Sequence, residues 1–112
     1  MTDTRLAIDV TPGAADQVRL VLRGDIDAAA DAALTRAYAD ATASEARTLV
    51  LDFHDVGYIN STGIAVIVRL LAEARRDRRE VHAHGLSDHY REIFTITRLS
   101  DYMTIADEEN ER

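Results

Sequence analysis

Apolar and polar residues alternate over residues 5–10 and again over residues 17–22. A repeat of two residues is that of a strand with one buried face, so both stretches are predicted to be strands. Residues 11–13, a Thr-Pro-Gly sequence, favour a turn between them. Because this gap is too short for a crossover helix, we expect the two strands to form an antiparallel hairpin. Residues 24–27 are expected to end the second strand.

The next two segments are predicted to be a helix and a central strand. Residues 28–43 are rich in alanine and contain no glycine or proline, which favours a helix with Asp27 as its N-cap. Residues 48–53 are an uninterrupted β-prone run, as expected for a strand covered on both faces. Residues 54–58 are predicted to be a loop. The buried side of the helix is expected to carry Leu34, Tyr38 and Ala41.

A second helix is predicted over residues 63–77, because the apolar stretch at its start continues into good helix formers. Apolar residues recur there at the spacing of one helix face, and the stripe expected to face the core is Ile64, Ile67, Val68 and Leu71. Val66 and Leu70 fall on the opposite side of the helix. We expect this second stripe either to be covered by another element or to form a docking surface.

The chain closes with a strand over residues 80–86, a helix over residues 88–98 capped by Ser87, and a strand over residues 102–106. The inward side of that last helix is predicted to hold Ile93, Phe94 and Thr97. The resulting order is ββαβαβαβ, in which helices connect successive strands. This order predicts a single domain over residues 1–112, of the α/β class, with a mixed sheet covered by helices.

Composition and charge exclude several kinds of site and partner. Without cysteine, the chain has no disulfide, thiolate nucleophile or cysteine-based metal site. The longest apolar run, residues 64–68, is too short to span a bilayer, and the N-terminus lacks a signal-peptide pattern, so we expect a cytoplasmic protein without membrane insertion. The net charge of −7 disfavours nucleic acid, which requires a basic face. The acidic tail, residues 107–112, is expected to be a solvated end.

A short polar turn connects the central strand to the second helix. The residues that meet where this helix is expected to begin are Asn60, Ser61, Thr62 and Gly63. Side-chain oxygens of this kind cap the first unpaired N–H groups of a helix. The same N–H groups and the helix dipole also stabilise an anion or a phosphoryl group. The residues alone leave both interpretations open: a plain N-cap, or a phosphate site whose hydroxyl becomes phosphorylated.

An arginine cluster lies at the other end of the same helix. It consists of Arg75, Arg76, Arg78 and Arg79. Cations at a helix C-terminus complement the helix dipole, which explains the cluster without a function. The alternative is that these arginines contact an anionic partner.

Two pairs of titratable residues are candidate sites for metal binding or catalysis. His82 and His84 share a strand face, but the sequence offers no assignable third metal ligand, so no metal is expected. Asp25 and Asp27 are either a carboxylate pair for acid–base chemistry or parts of a turn and a helix cap. The chain has neither a Gly-rich phosphate loop nor a Gly-x-Ser-x-Gly sequence, so nothing in it requires an enzyme or a cofactor.

Three segments resemble conserved elements of STAS domains, and most of all those of bacterial anti-sigma factor antagonists. They occur along the chain in the same order as in that family. Residues 49–64, LVLDFHDVGYINSTGI, resemble the stretch most typical of the family. Residues 22–27, LRGDID, resemble its Gly-Glu-Leu-Asp element, and residues 98–105, RLSDYMTI, its closing Gly-Leu-Asp-x-x-Phe-x-Ile pattern. The resemblance covers about residues 5 to 107. It implies a five-stranded sheet, parallel at its core, with helices packed against it.

The resemblance also implies a function and a set of site residues. Members bind an anti-sigma factor, often a serine kinase, and so release a sigma factor; the kinase phosphorylates the hydroxyl residue before the glycine of the turn, and a phosphatase reverses this. On this chain that residue is Thr62, with Ser61 as second choice. Asn60 stands where the family usually has Asp, Asp25 where it has Glu, and Ser100 where it has Gly. The partner-binding residues are then expected to be Asp25, Asp27, Asn60, Ser61, Thr62, Gly63, Ile64, Val66 and Leu70, on a monomer or weak homodimer.

Two other functions fit the same residues. One is a constitutive docking subunit, similar to STAS subunits of stressosome-like assemblies or of lipid-transport ABC complexes, in which the turn and the Val66–Leu70 stripe bind without phosphorylation. The other is a binder of a nucleotide or small ligand at the N-terminus of the second helix. Insensitivity of partner binding to Thr62→Asp would favour the first, and a thermal shift with nucleotides would favour the second.

Overall fold

The computed structural model describes residues 5–14 and 16–106. These residues form one α/β unit whose element order matches the predicted ββαβαβαβ, with one short 3₁₀ helix added before the last strand. Its elements are β1 (Ala7–Pro12), β2 (Gln17–Ile26), α1 (Ala30–Thr42), β3 (Thr48–Ile59), α2 (Ser61–Arg76), β4 (Glu80–His84), α3 (Asp88–Ile96), the 3₁₀ helix (Leu99–Asp101) and β5 (Thr104–Ile105). The fold class and the number of strands predicted from the sequence are confirmed.

The five strands form one sheet in the order β1-β2-β3-β4-β5. β1 pairs with β2 antiparallel, as predicted for the hairpin, and the other neighbours are parallel. Crossovers between successive parallel strands are right-handed, so this order places all three helices on the same face of the sheet. That face carries the buried core, which includes Leu20, Leu22, Leu49, Leu51, Phe53, Val81 and Phe94.

The opposite face of the sheet is largely polar. Val50 is 2% exposed there, between its register partners Arg19 and His82. Asp52 on the same face forms an ion pair with Arg19, with a distance of 3.1 Å between Nη1 and Oδ2. The prediction that β3 is covered on both faces therefore holds at Val50 and is wrong at Asp52, because helices cover only one side.

β3 is longer than predicted. Residues 54–58 continue the strand to Ile59, so the predicted loop is wrong. β2 also continues, to Ile26, and the two extensions pair in parallel with Asp25 opposite Tyr58 and Ile26 opposite Ile59. The register shifts twice in this region, which accommodates residues of low strand propensity. β4 and β5 are both shorter than predicted.

α1 buries Leu34, Tyr38 and Ala41 as predicted, but its N-cap position is Ala29 and not Asp27. Asp27 lies two residues before this N-cap, and its Oδ1 accepts a hydrogen bond of 2.9 Å from the N–H of Ala29. Asp27 therefore closes the turn that leads into the helix.

α2 buries a wider arc than the predicted stripe, because it packs on both the sheet and α1. Val66 and Leu70 are each 6% exposed and face α1, so the covered alternative is correct and these two residues form no docking surface on the folded chain. Val68, predicted to face the core, is 44% exposed. The Tyr38 hydroxyl of α1 donates a 2.6 Å hydrogen bond to Asp77 just after α2, which joins the two helices.

α3 is capped by Ser87, whose hydroxyl oxygen accepts from the N–H of Tyr90, and it buries Phe94 as predicted. Thr97 is exposed, which contradicts its predicted inward position. Its hydroxyl donates back to the carbonyl of Ile93 at 2.7 Å, where the helix has ended. Among the helices of the described residues, none is long and apolar enough to cross a membrane.

Candidate functional site

The polar turn lies at the carboxyl ends of β2 and β3, where ligand and partner sites of parallel sheets are commonly found. Asn60 is the N-cap of α2, and its Oδ1 accepts a 2.7 Å hydrogen bond from the N–H of Gly63. Ser61 and Thr62 are the first two residues of the helix and are exposed. Neither hydroxyl makes a hydrogen bond with any other described residue. Asn60 alone therefore caps the helix, and the two hydroxyls are not needed for that role.

Two hydrogen bonds fix the backbone that leads into the turn. The N–H of Asn60 donates to the carbonyl of Ile26 at 3.2 Å, which ties the turn to the end of β2. On the other side, β4 has already ended, and the N–H of Ile59 donates to the hydroxyl of Tyr90 at 2.9 Å. α3 thus supplies the acceptor that a neighbouring strand would otherwise provide.

Gly63 is buried where the first turn of α2 crosses the end of β2. A Cβ at this position would overlap the carbonyl oxygen of Ile26 and lie 2.6 Å from its carbonyl carbon. Only a glycine permits this close approach of helix and strand. The Asn60–Gly63 turn is therefore held at a fixed position on the sheet.

Asp25 and Asp27 lie at the same edge of the sheet, at the end of β2 and just after it, and both are half-buried. Asp25 Oδ1 would lie 3.1 Å from a Cβ added to Gly57, so the carboxylate lies over that glycine of β3. Asp27 accepts the N–H of Ala29, as described above. The two carboxylates therefore have separate positions, and the structure gives no shared proton or shared substrate position between them.

The structure brings most of the predicted site residues together, but two of them, Val66 and Leu70, are buried away from the site. Ile64 is half-buried beside the turn, whereas Val66 and Leu70 lie beneath α1. We define the turn surface as the exposed residues in the turn, at the end of β3 just before it and on the α2 face that begins at Ser61: Tyr58, Ser61, Thr62, Ala65 and Val68. Tyr58, Ala65 and Val68 were not identified from the sequence as part of this surface. The spacing 61, 65, 68 follows one face of a helix that begins at Ser61, so an earlier helix start would have found Ala65 and Val68.

The turn surface is suited to binding and to charge switching. Exposed apolar side chains beside free hydroxyls are typical of a protein contact. Ser61 and Thr62 lie in the first turn of a helix of 16 residues, where the dipole stabilises added negative charge. In the part of the chain that the structure describes, no cluster of His, Asp or Glu side chains is suited to hold a metal ion.

His54, His82 and His84 lie on strands β3 and β4, and His89 lies on α3. His82 Nε2 lies 3.3 Å from Glu80, its neighbour along β4. His54 Nδ1 lies 2.7 Å from Asp52 Oδ1, and the backbone N–H of His54 donates to the same oxygen at 3.0 Å. Burial alone would raise the pKa of Asp52, but the hydrogen bonds from His54 and the charges of His54 and Arg19 outweigh it and hold this pKa below its usual value. These contacts stabilise the open face.

Comparison with known proteins agrees with the fold. Residues 10–105 match the family model described as "Mlab, STAS domain". A curated relative from Listeria monocytogenes, named anti-sigma-B factor antagonist, is 30% identical over 106 residues, which is 95% of this chain and 93% of the relative.

Solved structures extend the comparison to the fold. SpoIIAA, an anti-sigma factor antagonist, is 19% identical in its unphosphorylated form, with a TM-score of 0.66 and 92% of both chains covered. Its phosphorylated form, from Bacillus, is 20% identical with the same TM-score, covering 92% of this chain and 94% of SpoIIAA. An anti-sigma factor antagonist from Mycobacterium paratuberculosis is 17% identical with a TM-score of 0.73, covering 93% of this chain and 87% of the other. These similarities show the fold, and with the family model and the Listeria relative they lead to one conclusion: the chain belongs to the STAS domain family.

Proposed function

We propose that this protein is an anti-sigma factor antagonist that binds an anti-sigma factor through the turn surface and so releases a sigma factor. The observation that carries this proposal is the pair of exposed hydroxyls, Ser61 and Thr62, on a turn whose backbone is fixed by Asn60 and Gly63. The Listeria relative, an anti-sigma-B factor antagonist, and SpoIIAA, an anti-sigma factor antagonist, support the same role. The protein acts by binding and not by catalysis, in the cytoplasm where sigma factors work.

Within this proposal the contact surface differs from the one expected from the sequence. Val66 and Leu70 are replaced by Ala65 and Val68, which are exposed on the α2 face that begins at Ser61. Tyr58, 58% exposed on β3, adds an aromatic side chain of the kind that contributes strongly to protein interfaces. Asp25, Asp27 and Ile64 border this surface.

Phosphorylation of Thr62 by the bound kinase, reversed by a phosphatase, is the proposed switch. A phosphoryl group adds about 1.5 to 2 negative charges at pH 7. The dipole and N–H groups at the start of α2 stabilise this charge, so the fold need not rearrange. Because the charge is added in the middle of the contact surface, an apolar or acidic partner face loses affinity. The phosphorylated form of SpoIIAA supports such a modification on this fold.

Substitution of Thr62 tests the switch. Tagged wild-type protein, Thr62→Ala and Thr62→Asp are expressed in the host, and the anti-sigma factor that co-purifies is quantified by mass spectrometry. We expect that Thr62→Ala retains the partner and that recovery of the partner with Thr62→Asp falls at least about tenfold, which corresponds to about 1.4 kcal/mol. Asp in the first turn of a helix is favourable, so both variants should remain folded.

The second candidate is a constitutive docking subunit of a stressosome-like or lipid-transport ABC complex. The matching family model is described as an Mlab STAS domain, and Asn60 stands where the resembled antagonists usually have Asp. Here the turn surface would bind without phosphorylation. Recovery of an ABC ATPase or of the protein itself, unchanged by Thr62→Asp, would favour this candidate over the switched antagonist.

A further inference from the structure

A groove of about 360 Å³ lies at the end of α2 opposite the turn surface. Arg75, Arg78 and Arg79 line one side of it, and Tyr102, Met103 and Thr104 line the other. α2 has 16 residues; at about 1.5 Å of rise per residue, the groove is about 24 Å along the helix from Ser61. We call it the arginine groove.

Two arginines of the groove have no acidic partner among the described residues. The guanidinium of Arg75 lies over the ring of the half-exposed Tyr102, with 5.2 Å between the Cζ atom and the ring centroid, an arrangement that fixes its position. Arg78 is exposed and makes no side-chain contact with a carboxylate in this part of the chain. By contrast, neighbouring Arg76 forms an ion pair of 2.9 Å with Glu73. Within residues 5–14 and 16–106, the charges of Arg75 and Arg78 are therefore not neutralised.

The third arginine adds an unsatisfied donor. Arg79 donates through Nη1 to the carbonyl of Ala46, but its Nε is buried and has no hydrogen-bond partner in the described structure. Buried donors are normally paired, so an incoming acceptor would improve the hydrogen bonding of this side chain.

The two carboxylates that line the groove already have partners. Asp101 accepts a 3.0 Å hydrogen bond from Arg98, and Glu80 lies 3.3 Å from His82. Neither carboxylate pairs with Arg75 or Arg78. Three arginines against two carboxylates leave the lining of the groove with a net positive charge, on a chain with a net charge of −7.

We propose that the arginine groove binds a short acidic segment of a partner protein, whose carboxylates pair with Arg75 and Arg78. Arginine and tyrosine together are typical of protein interfaces. A long polyanion such as DNA, or an anionic membrane, would also meet the acidic remainder of the chain, which repels it within about a Debye length of 8 Å. A short segment contacts the groove alone. This site is separate from the turn surface and does not depend on the function proposed for it.

The test measures binding of a fluorescein-labelled hexaglutamate peptide to the full chain by fluorescence anisotropy at low salt. We expect saturable binding that weakens as salt is added, at least a threefold loss with Arg78→Ser, and at least a tenfold loss with Arg75→Ser combined with Arg78→Ser. Arg36→Ser is the matched control, because Arg36 is exposed on α1 and its removal changes the net charge by the same amount as Arg78→Ser. This control should bind as the wild type does.

Three results would overturn the proposal. These are an absence of saturable binding at low salt, an equal loss for Arg36→Ser and Arg78→Ser, and tighter binding of single-stranded DNA or phosphatidylserine vesicles than of the peptide. The second would mean that net charge alone governs binding, and the third would assign the groove to another class of partner. Because Thr62 is not involved, failure here leaves the proposed function of the turn surface untouched.

Discussion

Gly63 determines how closely α2 approaches the sheet. An added methyl group would overlap the backbone of Ile26, and a backbone neighbour cannot move as a flexible side chain does. Gly63→Ala should therefore destabilise the protein by about 2 to 3 kcal/mol, as overpacking does, even though alanine favours a helix. Urea unfolding measures the change.

Gly57→Ala is the matched control for that substitution. Its added Cβ would meet only a carboxylate oxygen of Asp25 at 3.1 Å, and that side chain can rotate away. We expect a loss below about 1 kcal/mol. If both variants lost the same stability, the close approach of helix and strand at Gly63 would not be what fixes the turn.

At the scale of single residues, the sequence identified the turn but not the role of each side chain in it. Asn, Ser and Thr are all good N-caps, so their order alone does not show that Asn60 takes the cap and leaves Ser61 and Thr62 exposed. The contribution of Tyr90 was also missed, because its hydrogen bond to Ile59 joins residues that are 31 positions apart. Contacts at such distances depend on the tertiary fold.

Among the elements, the contact of α1 with α2 decides which side of α2 is available. The hydroxyl of Tyr38 donates to Asp77 across this contact. Burial, and then the hydrogen bond to Asp77 and its charge, raise the pKa of Tyr38 well above its usual value. Tyr38→Phe should cost about 1 to 2 kcal/mol near pH 8, because a hydrogen bond to a charged group is lost.

The pH dependence of this loss has a defined sign. A folded-state pKa above the unfolded value of about 10 gives stability that is fully present below pH 10 and is lost as the pH rises further. The difference between wild type and Tyr38→Phe should therefore shrink above about pH 10. Tyr102→Phe serves as control, because its hydroxyl makes no hydrogen bond with a described residue, and should change little. A Tyr38→Phe difference that grew with pH would contradict this account.

The boundaries of elements were predicted less well than their order. Periodicity and residue propensity together identified the five strands and the three α-helices, but not the short 3₁₀ helix. They failed at residues 54–58, where His, Asp and Gly indicate a loop but pairing with β2 holds them in a strand. They also left open whether Val66 and Leu70 are covered or form a docking surface, because the presence of α1 against that side cannot be read from α2 alone.

For the whole molecule, a substitution on the turn surface should weaken partner binding without changing the stability of the fold. Val68→Arg should reduce recovery of the anti-sigma factor from the host by at least about tenfold, because an exposed apolar contact becomes a charge. Its effect on unfolding should be within about 0.5 kcal/mol, as for other exposed positions.

Ile96→Arg is the matched control for that substitution. Ile96 is 71% exposed on α3 and is not part of the turn surface. This variant should recover the partner as the wild type does. Equal losses from Val68→Arg and Ile96→Arg would mean that the partner does not bind at the turn surface.

The most direct test of the central claim is site-resolved mass spectrometry of the protein purified from its own host, in growth and under stress. We expect a phosphoryl group on Thr62 whose occupancy changes between the two conditions and falls in the fraction bound to the anti-sigma factor. An unmodified Ser61 and Thr62 in every condition would contradict the switch and favour the constitutive docking subunit.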